Sequence, residues 1–132
     1  MPSTTGAAVS VIRAVPALDG KFDGIALRVP VITGSIADFT FSAARRTTVA
    51  EVNAVFTKAA QEEQWQGILG VTAEPLVSSD IIGTSFGAIV DLSFTKVVDG
   101  DLVKVLSWYD NEWGYVATLV RHVEKVVAIL SV

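Results

Sequence analysis

The spacing of apolar side chains divides this chain of 132 residues into segments of helical and of extended periodicity. Apolar residues recur every three or four positions over 7–14, 49–64 and 111–130, which predicts three helices. Period-two alternation, or a short apolar run between turn residues, predicts strands over 24–29, 35–41, 68–73, 88–92, 94–98 and 102–108. Strands joined by turns, with helices gathered at few points, predict an α+β fold: a mixed, mostly antiparallel sheet with helices packed on one face.

Turn and capping signals support this division. Thr48-Val49-Ala50-Glu51 predicts a capping box, in which Thr48 and Glu51 each accept a hydrogen bond from the other's backbone amide. Asp99-Gly100 predicts a hairpin turn between the last two strands. In the closing helix, six apolar residues at spacings of three and four predict one buried stripe. They are Trp113, Val116, Val120, Val123, Val127 and Leu130.

The segment 107–115, Ser-Trp-Tyr-Asp-Asn-Glu-Trp-Gly-Tyr, lies where the strand pattern gives way to the helical one. It contains two of the three tryptophans and both tyrosines of the chain. Two interpretations remain open: the aromatic rings form core while their polar tips find partners, or the junction meets a ligand. Trp108 and Trp113 are most simply core. Asn111 either caps the last helix or presents its amide to a ligand carboxamide.

A second candidate site lies at the start of the chain. The hydroxyls and free amides of Ser3-Thr4-Thr5-Gly6 begin a helix, where they either cap it or bind an anion such as phosphate. Arg28 interrupts an otherwise apolar strand, and an unpaired charge there would be costly. Its guanidinium therefore pairs with a carboxylate, for which Asp38 is the candidate, or with a ligand phosphate.

Composition excludes several classes of function. The chain has no cysteine, which excludes disulfides, thiolate metal sites and thiol nucleophiles. A net charge of −4 with scattered basic residues disfavours nucleic acid as a partner. The one histidine, His122, is predicted to be structural or solvent-facing, and no metal site is predicted.

The chain is nevertheless apolar, since 51% of its residues are hydrophobic. No apolar run approaches the roughly 18 residues that cross a membrane, and the start lacks the layout of a signal peptide. We therefore expect a cytoplasmic protein that does not enter membranes. Its excess apolar surface is expected to pack against a partner subunit or a missing part of the same protein.

The junction segment 107–115 resembles the Ser-Trp-Tyr-Asp-Asn-Glu-Trp/Phe-Gly-Tyr signature of the phosphorylating glyceraldehyde-3-phosphate dehydrogenases. Other segments are similar to that family in order and spacing: Ser3–Ala8, Leu18–Lys21, Arg28–Pro30, Gly67–Gly70, Glu74–Asp80 and Val98–Gly100. The resemblance covers essentially the whole chain, 1–132, as a single domain. That domain resembles the C-terminal catalytic domain without its first segment, and the resemblance implies that the Rossmann NAD-binding domain is absent from this chain. Two departures are the turn Val31-Ile32-Thr33-Gly34, where Thr-Pro-Asn is commoner, and Phe86, where many members have a histidine.

The resemblance implies roles for five residues. Thr5 and Gly6 line the site for inorganic phosphate or the substrate phosphate, and Arg28 binds phosphate at the other anion position. Asn111 holds the nicotinamide carboxamide of NAD, and Tyr115 packs near that ring. The family's nucleophilic cysteine and its histidine base would precede this chain, so no catalytic residue is expected within it.

The resemblance also implies a function for the whole protein: an NAD-dependent oxidoreductase of glycolysis, homo-oligomeric, acting on phosphate and a phosphorylated aldehyde. This chain would be a fragment of it, inactive and without bound cofactor on its own. Two alternatives stay open, a free-standing non-catalytic binding or oligomerisation module, and a fragment of an erythrose-4-phosphate dehydrogenase. NAD and NADP are not distinguished. The family's last helix packs on the Rossmann domain, which would explain why 111–130 is so apolar.

Overall fold

The computed structural model describes residues 1–131 and falls into two compact units, with the boundary after Ile32. Its elements are β1 Pro2–Ser3, α1 Ala7–Ala14, β2 Ala26–Leu27, β3 Ser35–Ser42, α2 Val49–Gln61, β4 Leu69–Thr72, β5 Ala88–Val98, β6 Leu102–Tyr109 and α3 Trp113–Leu130. The α+β class is confirmed. The expectation of a single domain stays a prediction.

The first unit is small and built on α1, which the sequence predicted with the same bounds. β1 and β2 pair antiparallel over two residues each. The backbone groups of Met1 and Arg28 extend this ladder, with N–O distances of 2.7 and 2.9 Å. The predicted strand 24–29 is therefore wrong in extent. Ile25, Leu27 and Val29 are 63–75% exposed, because a two-residue ladder offers these side chains no second layer to pack on.

The second unit is organised on a four-stranded sheet in the order β3-β6-β5-β4. β6 pairs antiparallel with both β3 and β5, while β4 and β5 are parallel. The sheet is thus mixed and mostly antiparallel, as predicted. β6 and β5 are the two inner strands, and β6 carries both long antiparallel ladders.

The core of the second unit lies between the sheet and α2. Val103 and Val105 alternate with half-buried neighbours on β6, and together with Val90 of β5 they are at most 3% exposed. Val52 and Phe56, one helical turn apart on α2, pack against this cluster. One face of the sheet is therefore buried by one helix.

The start of α2 is set by its local sequence. The hydroxyl of Thr48 accepts from the amide of Glu51 at 3.2 Å, and a carboxylate oxygen of Glu51 accepts from the amide of Thr48 at 3.2 Å. The predicted capping box is confirmed. The helix ends at Gln61 rather than near Gln64, because Glu62 is extended and a short 3₁₀ turn follows.

The predicted strands 88–92 and 94–98 are one strand, β5. Its register with β6 shifts between Asp91 and Lys96, which marks a β-bulge. Asp91 is fully buried there, and its carboxylate accepts from the Ser93 hydroxyl at 2.6 Å and from the Trp108 indole N–H at 3.1 Å. The predicted break at Ser93 is therefore wrong, because these polar contacts stabilise a bulge within one continuous strand.

The turn after β5 agrees with the prediction. Asp99 and Gly100 both have positive φ, 50° and 80°, as the two central residues of a type I′ turn require, and the Asp101 amide donates to the Val98 carbonyl at 3.3 Å. Glycine adopts this conformation without steric cost, and Asp is among the few other residues that tolerate it.

The closing helix departs from expectation most strongly. The six residues of the predicted buried stripe are 50–79% exposed: Trp113, Val116, Val120, Val123, Val127 and Leu130. The first half of α3 contacts the rest of the second unit: Gly114 and Thr118 lie beside Phe86 and Gly87, and Arg121 donates a hydrogen bond to the Gly67 carbonyl. The periodicity was that of a packed helix, but within residues 1–131 no element covers the stripe. No helix of this described part is long and apolar enough to cross a membrane.

Candidate functional site

Asp110 organises the junction between β6 and α3. The residue is 1% exposed, and its carboxylate accepts from the amides of Gly83 at 2.9 Å, Glu112 at 2.8 Å and Trp113 at 3.0 Å. Two of these amides belong to the start of α3, where backbone N–H groups lack helical partners. The third belongs to the loop before β5. Asp110 therefore both caps α3 and ties that loop to the end of β6.

These contacts determine the charge state of Asp110. Hydrogen bonds from the backbone amides of Gly83, Glu112 and Trp113 and from the Thr33 hydroxyl lower its pKa below the ordinary value, the Gly83 bond most strongly. Burial acts in the opposite direction and is outweighed. The carboxylate is consequently ionised at neutral pH and places a negative charge at the positive end of the helix dipole.

Asn111 follows Asp110 and makes a different set of contacts. Its side-chain oxygen Oδ1 accepts from the backbone amide of Gly34 at 3.1 Å. The hydroxyls of Thr33 and Ser35 lie 3.4 and 3.5 Å from the same oxygen. Among the described residues, no hydrogen bond involves the amino group Nδ2, and Asn111 is exposed. Since Asp110 makes the cap, the capping interpretation of Asn111 is wrong.

The aromatic residues of the junction separate into two groups. Trp108 is half-buried and donates to the buried carboxylate of Asp91, in agreement with a core role. Trp113 is 63% exposed, so the expectation that it is core is wrong for this chain. Tyr115 is 65% exposed on the first turn of α3. Asn111 and Tyr115 are thus both accessible to a ligand.

The residues expected to bind phosphate lie in the first unit. Thr5 is half-buried, and its hydroxyl accepts from the Ala7 amide at 3.1 Å, so it caps the first turn of α1. Gly6 directly precedes the helix and is exposed. Arg28 is exposed, and its backbone pairs with that of Met1. The start of α1 at Gly6 and the guanidinium of Arg28 are therefore both accessible.

Asp38, the candidate carboxylate for Arg28, is paired with a lysine of its own sheet. It lies in the middle of β3 opposite Leu106, and its carboxylate accepts from the ammonium group of Lys104 at 2.6 Å. The carboxylate proposed for Arg28 therefore has a partner of its own. His122 is exposed on α3, as expected for a solvent-facing histidine.

Sequence reasoning missed the organising role of Asp110 and the contribution of Gly34 and Gly83. One signal was present: an aspartate three residues before the first helical position is in reach of free N-terminal amides. The contacts of Gly34 and Gly83 span 77 and 27 positions, which no local pattern reveals. Within residues 1–131, no group of three or more His, Asp or Glu side chains is placed to hold a metal ion.

The sheet, the helix α2 that covers it and the polar junction define an α+β domain with a ligand-accessible strand-to-helix turn. The family model for the C-terminal domain of glyceraldehyde 3-phosphate dehydrogenase matches residues 1–111 of this chain. The chain belongs to the glyceraldehyde-3-phosphate dehydrogenase family and corresponds to a C-terminal part of it.

Individual relatives agree. The chain is 50% identical over 120 residues to glyceraldehyde-3-phosphate dehydrogenase 2 of Streptomyces avermitilis, covering 91% of this chain and 36% of the relative. It is 45% identical over 131 residues to glyceraldehyde-3-phosphate dehydrogenase 3 of a Nostoc species, covering 99% and 39%. It is 50% identical over 126 residues to the glyceraldehyde-3-phosphate dehydrogenase of Mycobacterium tuberculosis, and the match covers 96% of this chain and 37% of that relative. The chain therefore spans less than two-fifths of the length of these relatives.

Proposed function

We propose that this chain supplies the phosphate-binding and cofactor-facing residues of a phosphorylating glyceraldehyde-3-phosphate dehydrogenase of cytoplasmic glycolysis, and that it is inactive alone. The observation that carries the proposal is the 45–50% identity to proteins of that name across 91–99% of the chain. The chain has no cysteine, so the thiol nucleophile of such a reaction must come from outside it.

The exposed residues fit the two ligands of that reaction. Thr5 and Gly6 at the start of α1 offer a hydroxyl and the positive end of a helix dipole to a phosphate, and Arg28 offers a guanidinium to the second phosphate position. Asn111 offers an amino group to the nicotinamide carboxamide, and Tyr115 an exposed ring to the nicotinamide face. When bound, NAD accepts the hydride. This chain's share of the work is to bind and orient.

A chimera tests these assignments. The upstream part of the Streptomyces avermitilis relative is joined to this chain where their similarity begins, and NADH formation is measured. We expect turnover in the chimera. Arg28→Ala is expected to raise KM for the phosphorylated aldehyde about tenfold or more, because a charge-assisted hydrogen bond is lost. Asn111→Ala is expected to raise KM for NAD.

Arg13→Ala is the matched control, because Arg13 is an exposed basic residue at the end of α1 with no assigned role. Its variant should leave both KM values unchanged. Equal effects of Arg28→Ala and Arg13→Ala would refute the phosphate assignment. An unchanged KM for NAD in Asn111→Ala would refute the cofactor assignment.

A second function, homo-oligomerisation, is favoured by the exposed face of α3. Its six apolar residues repeat at spacings of three and four and are 50–79% exposed, and contiguous apolar surface of this kind associates in water. Sedimentation of the isolated chain over a range of concentrations tests the proposal. Self-association that Val123→Lys abolishes supports it, whereas a monomer at every concentration refutes it.

A further inference from the structure

The turn Thr33-Gly34-Ser35 holds the side chain of Asn111. The bond from the Gly34 amide, at 3.1 Å, has the ordinary length of an N–H···O hydrogen bond. The hydroxyls of Thr33 and Ser35, at 3.4 and 3.5 Å, lie beyond the usual range for O–H donors, so they are auxiliary. The backbone amide of Gly34 is therefore the main anchor of the Asn111 side chain.

Glycine is required at this anchor. Gly34 is buried with a φ of +88°, a conformation that residues with a side chain rarely adopt. A Cβ atom added there would lie 3.2 Å from the carbonyl oxygen of Ser78. A buried turn with these two constraints has little freedom, so the direction of its N–H group is fixed.

A fixed donor determines which way round the asparagine amide sits. A backbone N–H can only donate, so the atom of Asn111 that faces Gly34 is the oxygen and not the amino group. The reversed amide would place two donors against each other and leave both without partners, at a cost in free energy. The amino group Nδ2 therefore points away from the turn, and no described residue accepts from it.

The backbone of Asn111 is held as well. The preceding residue, Asp110, is buried and binds the amides of Glu112 and Trp113, which follow Asn111 in the chain. Side chain and backbone are thus fixed before any ligand arrives. Such pre-organisation removes part of the entropic cost of binding.

We propose that the turn Thr33-Gly34-Ser35 is a positioning element, which orients Asn111 so that it offers its ligand a hydrogen-bond donor and thereby selects a carbonyl oxygen. The identity of that ligand as the nicotinamide carboxamide rests on the proposed function. The orientation itself does not. The orientation gives a role to Thr33 and Gly34, which belong to the turn 31–34 that departs from the commoner pattern of the family.

Nuclear magnetic resonance of the isolated chain, labelled with ¹³C and ¹⁵N, tests the orientation without any variant. A hydrogen bond from Gly34 to Asn111 produces a scalar coupling between the Gly34 amide nitrogen and the Asn111 side-chain carbonyl carbon. We expect this coupling, together with Asn111 Nδ2 protons that exchange with water as fast as those of a free carboxamide. A missing coupling, or Nδ2 protons protected from exchange, overturns the proposal.

Titration with nicotinamide tests the donor role. The isolated chain is expected to retain no NAD, but free nicotinamide near its solubility limit should shift the Nδ2 proton signals of Asn111 in the wild-type chain. Asn111→Asp keeps an acceptor for Gly34 but replaces the amino group by an oxygen, so it should retain the coupling and bind nicotinamide about tenfold more weakly. Equal nicotinamide affinity of the two chains overturns the donor role.

The two proposals fail separately. If the coupling is present but nicotinamide leaves the Nδ2 signals unshifted up to its solubility limit, the cofactor assignment of Asn111 falls and the orientation stands. If the coupling is absent, the orientation falls whatever nicotinamide does. A shift at Nδ2 that accompanies the coupling supports both.

Discussion

Two valine-to-alanine variants, one at Val103 and one at Val120, distinguish the buried core from the exposed stripe of α3. Val103 on β6 is 0% exposed and Val120 on α3 is 50% exposed. Val→Ala removes two methyl groups, worth about 0.8 kcal/mol each when buried. At Val103 a cavity of about 40 Å³ adds about 1 kcal/mol, since cavities cost ~24 cal/mol per Å³. The expected loss at Val103 is therefore about 2–3 kcal/mol.

At Val120 the lost transfer free energy and the gained helix propensity nearly cancel. Half of the transfer term, about 0.8 kcal/mol, opposes a gain of about 0.5 kcal/mol, because alanine favours helix more than valine does. Urea unfolding at low protein concentration measures both variants, and equal m-values in the two would show that the comparison is valid. A loss at Val120 as large as that at Val103 would refute the assignment of this face as uncovered. A loss at Val120 that grows with concentration would instead indicate a self-associated α3.

Three further changes test the junction and the cap of α2. Gly114→Ala should destabilise the chain by about 1–3 kcal/mol despite the better helix propensity of alanine, because the new Cβ would overlap the carbonyl oxygen of Phe86. The control Gly24→Ala should not destabilise it, because the space around Gly24 is open. Equal denaturation midpoints of the two variants would contradict this. Asp110 has a lowered folded pKa, so its contribution to stability is present above its unfolded pKa, near 3.8, and is lost as pH falls through the folded value. Asp110→Asn should therefore lower stability at pH 7 and flatten its decline in acid, and a curve parallel to that of the wild type would oppose this account. Thr48→Ala should cost about 1 kcal/mol, measured by thermal unfolding, and an unchanged Tm would rule out the cap.

The features that the sequence predicted correctly depend on neighbours in the chain. The capping box needs Thr48 and Glu51, three positions apart, and the hairpin needs the adjacent pair Asp99-Gly100. Both form wherever their own residues are placed together. The same locality explains why the bounds of α1 were predicted correctly.

The features that it predicted wrongly depend on distant partners or on their absence. The sequence analysis divided β5 at Ser93, but Asp91 binds Trp108 of the neighbouring strand and stabilises a bulge in one continuous strand. The periodicity of α3 identifies an apolar face, and periodicity does not state what covers that face. The orientation of Asn111 likewise follows from Gly34, far away in the chain.

The central claim is that this chain contributes binding residues to a dehydrogenase and has no chemistry of its own. It is tested most directly by assaying the purified, folded chain with NAD, phosphate and glyceraldehyde 3-phosphate and following NADH absorbance. The account predicts a rate equal to that of a boiled sample, because the chain has no thiol nucleophile. Turnover above the boiled sample would contradict it.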